Sequence, residues 1–234
     1  MLLTQEQEMI RDAIRTFVRE AIVPHAAAWD RDATFPKDVH RQLGELGAYG
    51  VAVPEALGGA GLDYLSLALI LEEIAAGDGG TSTVISVNNC PVCSMLMAFA
   101  NDAQKQQWLV PLARGEMLGA FCLTEPHAGS DVGDCTTAAV KRPDGTYNIK
   151  GTKIFISGGE QDLTDNIVHL VLAKLPDAPA GAKGISLFLV PKYPVAADGS
   201  LGPRNAAHCG SIEHKMGIKA SPTAVLQYGD NGGA

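Results

Sequence analysis

The sequence predicts an α+β protein, with an N-terminal all-α helical domain over residues 1–118 followed by a mainly antiparallel, barrel-like β-sheet domain over residues 119–234. Two patterns predict this class. Apolar residues recur at helical spacing up to about Gly115, and segments with a period of two follow it. The length of 234 residues allows one or two domains, and a composition that is 46% hydrophobic and 19% charged is ordinary for a folded chain.

The first helices are predicted from capping signals and an apolar stripe. Thr4 followed by Gln7 is a capping-box pattern, which marks a helix start. Behind it, one apolar face at helical spacing consists of Ile10, Ile14, Phe17, Val18 and Ile22. Pro24 and Pro36 each suit the first position of a further helix.

The rest of the helical half is divided by glycine. Residues 54–61, Pro-Glu-Ala-Leu-Gly-Gly-Ala-Gly, contain too much glycine for a regular element and are predicted as a loop. Asp63 is expected to cap the next helix, and the glycines of residues 77–80 to break it. A long apolar helix is predicted over residues 82–98, and a short one over residues 102–112.

The second half is predicted to form strands separated by Gly, Pro and Asp. Between two of them, Pro143-Asp144-Gly145 is a turn signal. The candidate strands are residues 118–123, 136–141, 146–150, 152–157, 168–174 and 185–190.

Charge and hydropathy argue against several classes of protein. The net charge is −8 and no run of five or more Lys or Arg occurs, which disfavours nucleic-acid binding because phosphate contacts need clustered cations. The apolar runs are judged too short to span a bilayer, so no membrane insertion is expected. The N-terminus does not have the form of a secretory signal, and with five cysteines this favours a reducing, cytoplasmic location.

Residues 121–131, Phe-Cys-Leu-Thr-Glu-Pro-His-Ala-Gly-Ser-Asp, form the first segment with chemical potential. A predicted strand ends there in a Pro/Gly turn that carries hydroxyls and free backbone N–H groups. Such a turn can bind the polar edge of a heterocycle or a phosphate. The alternative is an ordinary β-turn whose polar residues bond their own backbone.

Residues 151–159, Gly-Thr-Lys-Ile-Phe-Ile-Ser-Gly-Gly, form the second segment. Strand alternation places Ile154 and Ile156 on one face and Lys153, Phe155 and Ser157 on the other. An aromatic plane and a hydroxyl on one face can stack on and hydrogen-bond a flat ring. The alternative is an aromatic side chain that merely covers a sheet edge.

Together the two segments resemble the acyl-CoA dehydrogenase family, whose members carry T-E-P-x-A-G-S-D about 20 residues before G-x-K-x-[WF]-I-[TS]. The loop at residues 54–61 resembles the family's P-E-x-x-G-G-x-G, and residues 213–221 resemble its E-x-K-x-G-x-x-[AS]-S segment. The order of a helical domain before a β domain also matches. The resemblance covers essentially the whole chain.

The resemblance implies that the cofactor is FAD, bound by Phe121, Leu123, Thr124, Gly129, Ser130, Phe155, Ile156 and Ser157. The backbone around Leu123 and the Thr124 hydroxyl would bond the isoalloxazine edge. Ser130 would lie where the FAD pyrophosphate meets the CoA of the substrate, and so is also the implied substrate-binding residue. Phe155 stands where most members have Trp and Ser157 where most have Thr, and both keep the chemical character.

The resemblance also implies a flavin-dependent oxidation of an acyl-CoA to the trans-2-enoyl-CoA, with an electron-transfer flavoprotein or similar acceptor as partner. Family members continue into a C-terminal helical domain that supplies the catalytic base, usually Glu, and much of a tetramer core. That domain is absent up to Ala234, so the base is expected beyond it and no residue present is assigned as catalytic.

Two alternatives stay open. The chain can be a non-catalytic flavin- or CoA-binding module, completed by a partner, or a flavin oxidase or monooxygenase of the same fold. Residues 155–160 and 214–223 resemble a bacterial branch that includes methylthiopropionyl-CoA dehydrogenases.

No metal site is predicted. Cys90 and Cys93 form a C-x-x-C, which can serve redox or zinc chemistry. No second pair follows and the motif lies in a predicted buried helix, so packing is the favoured interpretation. His208, Cys209 and His214 lack the ligand spacing of a metal site.

Overall fold

A computed structural model of the protein describes residues 2–229. Its chain separates into two compact units. The first contains the chain up to Leu118 together with His214–Pro222, and the second contains Gly119–Glu213 and the described residues from Thr223 onward. The predicted order of helices followed by sheet is confirmed.

The helical unit contains eight α-helices among the described residues. They are α1 Gln5–Phe17, α2 Val23–Asp32, α3 Lys37–Glu45, α4 Tyr64–Gly77, α5 Gly79–Val87, α6 Ser94–Phe99, α7 Asp102–Gln104 and α8 Val110–Ala113. Wider π-type turns connect several of them, at Val18–Ile22, Asn88–Cys93 and Lys105–Leu109.

The start and the apolar face of α1 follow the sequence pattern. The Gln7 N–H donates to Thr4 Oγ1 at 3.2 Å, and the Thr4 N–H donates to Gln7 Oε1 at 3.1 Å, which confirms the capping box. Ile14, Val18 and Ile22 of the apolar stripe are buried. The stripe therefore forms part of the core of this unit.

The predicted helix break at residues 77–80 is confirmed, but it is one residue wide, and the predicted long helix over residues 82–98 is wrong. Only Asp78 leaves helical geometry, because its carboxylate caps the next helix by accepting the Thr81 N–H at 2.6 Å, and α5 starts at Gly79. The long helix is interrupted near Pro91, which has no N–H to donate, and Cys90 is extended there.

The expectation about apolar runs also needs correction. The stretch Gly79–Phe99, taken as one segment of 21 residues, is long and apolar enough to cross a membrane by length and composition. An 18-residue window of it has a mean hydropathy of 1.3, and 44% of that window is buried inside the fold. Core helices of globular proteins pass the same test, so this is weak evidence for a membrane span.

The glycine-rich loop at residues 54–61 folds back on the chain before it. The Ala60 N–H donates to Gly50 O at 2.9 Å, and the Gly61 N–H donates to Val53 O at 2.8 Å. Gly59 lies so close to this backbone that a Cβ on it would be 2.2 Å from Val53 O and 2.5 Å from Gly50 O. The turn therefore requires glycine, the residue without a Cβ, at position 59.

The second unit is a seven-stranded mixed sheet in the order β1-β4-β2-β3-β7-β6, with β5 paired to β4. The pairs β2–β3, β3–β7, β4–β5 and β6–β7 are antiparallel, and β2–β4 is parallel. The strands are β1 Leu118–Cys122, β2 Ala138–Lys141, β3 Tyr147–Ser157, β4 Ile167–Lys174, β5 Ile185–Pro191, β6 Ala207–Ile212 and β7 Thr223–Tyr228.

The sheet confirms the predicted hairpin at residues 143–145, where the Gly145 N–H donates to Arg142 O and Gly145 has φ +88°. The two strands predicted at residues 146–150 and 152–157 are one strand, β3, which continues through Gly151 opposite Tyr228. Strands β6 and β7 are not among the predicted strands, because their sequences show no regular alternation bounded by turn signals.

Candidate functional site

The two motif segments lie side by side in the sheet unit. The Ile154 N–H donates to Thr124 O at 2.9 Å. On either side of that bond, the Lys153 ammonium donates to Leu123 O at 3.0 Å and to Glu125 Oε1 at 2.9 Å. Three consecutive residues of one segment are thus held by two consecutive residues of the other.

A β-bulge in β3 orients these side chains, and it makes the predicted alternation wrong. The register with β7 shifts between Lys153, opposite Leu226, and Ile156, opposite Ala224. One extra residue therefore separates the two paired positions. Lys153 and Ile156 are buried, whereas Phe155 is 60% exposed, with φ +60°. Lys153 and Phe155 do not share a face.

Glu125 is the centre of the polar contacts beneath the turn. Its carboxylate accepts hydrogen bonds from Lys153, from the Thr136 N–H at 2.7 Å and from the Thr137 N–H at 3.0 Å. Burial alone would raise the pKa of Glu125, but the bonds from Lys153, Thr137 and Thr136 outweigh burial and lower the pKa to about 2. The pair with Lys153 is a fully buried ion pair.

The turn after Glu125 is partly the ordinary β-turn that the sequence left open. Glu125 and Ala128 exchange both of their backbone hydrogen bonds, and Asp131 Oδ1 accepts the Gly133 N–H at 2.9 Å. The hydroxyls of Thr124, Ser130 and Ser157 behave differently. Within residues 2–229, none of these hydroxyls has a hydrogen-bond partner, and neither has the Thr124 N–H.

The structure brings most of the predicted cofactor residues to one region. A Cβ built on Gly129 would lie 3.7 Å from Thr124 Cγ2, which places the Gly129–Ser130 end of the turn beside Thr124. The bond between Ile154 and Thr124 brings Phe155 close to the same segment. Phe121, Leu123, Thr124 and Ser157 are partly exposed, and Gly129, Ser130 and Phe155 are exposed.

Ile156 is the exception, because its side chain is 2% exposed and lies in the sheet core. Its carbonyl also accepts the Gly159 N–H at 3.2 Å, so neither the side chain nor the carbonyl of Ile156 is open to a ligand. The other predicted residues fit a flavin in chemical terms. They supply an exposed aromatic plane together with N–H and O–H groups that have no partner among the described residues.

Sequence reasoning missed Glu125 and Lys153 as parts of the site. Both belong to the motif segments, but strand alternation placed Lys153 on the same face as Phe155. The available signal was a lysine directly before the apolar run of residues 154–156, since a lysine that is buried there requires a carboxylate partner.

A buried polar chain lies behind the turn that follows Ser157. His169 Nε2 is 2.9 Å from Gly159 O, and the Tyr228 hydroxyl lies 3.1 Å from His169 Nδ1 and 3.3 Å from Cys122 Sγ. A carbonyl only accepts, so the proton of neutral His169 is on Nε2 and the Tyr228 hydroxyl donates to Nδ1. Burial lowers the pKa of His169 to about 4.

Because the pKa of His169 is lowered in the folded protein, we expect the free energy of unfolding to fall in acid. Between pH 6.5 and 4 the unfolded chain binds a proton at residue 169 that the folded chain does not, so stability falls as the pH falls through this window. This difference in pKa between the unfolded and folded chain corresponds to about 3 kcal/mol of the free energy of unfolding. We expect His169→Gln to reduce this loss in urea unfolding measured from pH 7 to pH 4.

The matched control is His214→Gln, because His214 is exposed. It should leave the pH dependence of wild type unchanged. Some slope should remain in His169→Gln, since burial also lowers the pKa of His40, to about 3. An unchanged slope in His169→Gln would contradict the prediction.

The described residues show no sign of a metal centre. Among residues 2–229, no cluster of three or more His, Cys, Asp or Glu side chains can hold a metal ion. Cys93 of the C-x-x-C is buried, and burial raises the pKa of its thiol to about 12. Packing accounts for this cysteine.

A groove of about 570 Å³ lies in the helical unit, between α4 and α5. Leu71, Glu72, Ser82 and Ser86 are among the residues that line it. It contains none of the residues predicted to bind FAD.

The architecture, helices followed by a mixed sheet with the two motifs side by side in it, is that of the acyl-CoA dehydrogenase fold. The family models agree with it: the N-terminal domain model of acyl-CoA dehydrogenase matches residues 4–116, and the middle domain model matches residues 120–230. The chain belongs to the acyl-CoA dehydrogenase family.

The curated relatives are acyl-CoA dehydrogenases whose names give different acyl-CoA substrates. The chain is 43% identical over 197 residues to 3-methylmercaptopropionyl-CoA dehydrogenase of Ruegeria pomeroyi, covering 82% of this chain and 32% of that protein. It is 37% identical over 229 residues to the mitochondrial short-chain specific acyl-CoA dehydrogenase of Rattus norvegicus, covering 97% and 52%. The chain thus spans about half or less of these relatives.

Solved structures agree. A chain in the structure of the electron transferring flavoprotein of Acidaminococcus fermentans matches with a TM-score of 0.85 and 35% identity, over 98% of this chain and 56% of that one. Butyryl-CoA dehydrogenase of Megasphaera elsdenii matches with a TM-score of 0.81 and 33% identity, over 97% of this chain and 56% of that one. A glutaryl-CoA dehydrogenase of Mycobacterium smegmatis in complex with FADH2 matches with a TM-score of 0.81 and 30% identity, over 96% of this chain and 53% of that one.

Proposed function

We propose that this chain forms the flavin-binding part of an FAD-dependent acyl-CoA dehydrogenase, which converts an acyl-CoA thioester to the trans-2-enoyl-CoA. The observation that carries the proposal is the state of Thr124. Its N–H and hydroxyl have no partner within residues 2–229, while the bonds from Lys153 and Ile154 fix the backbone on either side. A rigid pair of unused donors suits a polar ring edge.

The proposed roles follow the motif residues. The backbone around Leu123 and the Thr124 donors would bind the isoalloxazine edge of FAD. Phe155 would pack against the ring, and the Ser157 hydroxyl would donate to its N5 side. Ser130, exposed at the end of the turn, serves the pyrophosphate and the CoA. When bound, FAD supplies the hydride acceptor, which the protein orients and tunes.

The base that removes the α-proton is proposed to lie outside residues 2–229. Glu125 is the carboxylate nearest the turn, but it is buried and bonded to Lys153, Thr136 and Thr137. With a pKa held near 2 it is a poor proton acceptor.

Substrate and partners are inferred from the relatives. The R. pomeroyi protein and the short-chain enzymes favour a short acyl group, including the 3-methylmercaptopropionyl group. An electron-transfer flavoprotein is the proposed acceptor, and a homo-oligomer, such as a tetramer, the proposed assembly. Five free cysteines agree with a reducing cytoplasm.

The test uses the protein expressed from its complete coding sequence, purified with FAD. Butyryl-CoA and 3-methylmercaptopropionyl-CoA are each added with an electron-acceptor dye. Dye reduction that depends on acyl-CoA, with enoyl-CoA found by mass spectrometry, supports the proposal. Flavin binding without any acyl-CoA turnover favours a binding module, and acyl-CoA turnover by residues 1–234 alone would overturn the placement of the base.

Phe155 provides a prediction about the cofactor. Phe155→Ala removes the exposed aromatic plane beside Thr124, so FAD retention should weaken by about 1–3 kcal/mol through lost stacking and burial. Equilibrium dialysis of FAD against the apoprotein measures the loss. The control Phe155→Trp keeps the plane and should retain FAD, and equal affinity in wild type and Phe155→Ala would refute the stacking role.

A further inference from the structure

The Lys153 ammonium is fully buried and donates to a backbone carbonyl. That carbonyl, Leu123 O, belongs to the same peptide group as the Thr124 N–H. A charge-assisted bond to the carbonyl end of a peptide polarises the whole group and strengthens its N–H as a donor. At the other end of this peptide, the Thr124 N–H has no hydrogen-bond partner within residues 2–229.

The geometry of the bulge makes this contact possible. Because β3 gains one residue between Lys153 and Ile156, Lys153 turns into the sheet while Phe155 remains exposed. The ammonium therefore contacts the Leu123–Thr124 peptide from the buried side of the sheet. It does not need to reach the surface on which Phe155 lies.

Glu125 limits the effect without cancelling it. Its carboxylate lies 2.9 Å from the Lys153 ammonium, so the pair is close to neutral from a distance. The two charges act at different places, however. The ammonium contacts the Leu123 carbonyl directly, whereas the carboxylate is turned toward the Thr136 and Thr137 N–H groups.

We propose that Lys153 is a positioning residue that raises the reduction potential of the bound flavin through the Leu123–Thr124 peptide. The inference rests on the proposed function, in which this segment binds the flavin edge. A bound flavin would accept a hydride, which carries two electrons and one proton, from the acyl thioester and would gain negative charge on its ring. A stronger N–H donor at the ring edge stabilises the reduced ring more than the oxidised one.

The main test variant is Lys153→Met/Glu125→Gln, which removes the polarising cation and leaves no buried charge without a partner. It is made in the protein expressed from its complete coding sequence and loaded with FAD. A potentiometric titration should show reduced FAD bound about tenfold less tightly relative to oxidised FAD. For a two-electron couple this lowers the midpoint potential by about 30 mV.

Two further variants distinguish charge from structure. Lys174→Met is the matched control, since the Lys174 ammonium also donates to a backbone carbonyl, Gly133 O at 2.7 Å, in a different peptide. Its potential should equal that of wild type. Glu125→Gln alone removes the anion and keeps the cation, so its potential should rise.

Several outcomes would overturn the inference. If the double variant binds oxidised and reduced FAD more weakly by the same factor, the reduction potential stays unchanged. Lys153 is then a structural residue only. A fall in potential in Lys174→Met of the same size would remove the specific role of the Leu123–Thr124 peptide. A wild-type protein that does not bind FAD would overturn the proposed function, and this inference with it.

Discussion

Replacing Lys153 by methionine is expected to destabilise the sheet unit by about 3–5 kcal/mol, the cost of breaking a buried ion pair from one side. The substitution leaves the Glu125 carboxylate, of which 1% of the side chain is exposed, without its cation. It also leaves Leu123 O without its donor. Urea unfolding followed by circular dichroism, with hydrogen exchange of the β3 amides, measures the loss.

A double-mutant cycle separates the pair from its surroundings. Lys153→Met and Glu125→Gln should together cost less than the sum of the single changes, by about 2–3 kcal/mol, because each single change strands the opposite charge. Strict additivity would mean that the two groups do not interact across their 2.9 Å contact.

Gly59→Ala should destabilise the helical unit by about 3 kcal/mol or more, since the new methyl group would overlap backbone atoms that cannot rotate away. The atoms concerned are Val53 O, at 2.2 Å, and Gly50 O, at 2.5 Å. Relief would require opening the hydrogen bonds from Ala60 and Gly61 to the same carbonyls. Thermal unfolding of the variant against wild type tests this.

Gly217→Ala is the control for that experiment, because a Cβ at Gly217 would meet nothing within 4 Å. Its stability should stay within about 0.5 kcal/mol of wild type. A Gly59→Ala protein as stable as the control would show that the loop can move aside.

Local signals explain what could be predicted from the sequence. The capping box at Thr4 and the stripe of Ile14 and Ile22 depend on neighbouring residues alone, and so does the turn at Gly145. The fold class followed from the change of period, and the resemblance of the two motif segments to the acyl-CoA dehydrogenase family implied a shared site.

Features that depend on distant partners could not be predicted in this way. The bulge in β3 exists only relative to β7, a strand whose sequence lacks clear alternation. The burial of Lys153 depends on Glu125, 28 residues earlier in the chain. Helix α5 begins with two glycines because the cap at Asp78 offsets the cost of placing Gly79 and Gly80 in a helix.

The segment His214–Pro222 has a consequence for building chimeras. It lies between β6 and β7 in the chain, yet the Lys219 N–H donates to Asp30 at 2.8 Å, and a Cβ on Gly80 would lie 3.1 Å from Ala220 Cβ. A recombinant that takes residues 1–118 from one relative and the remainder from another therefore mixes two parents inside the helical unit. Exchanging residues 214–222 together with the helices would keep each side of these contacts from a single parent.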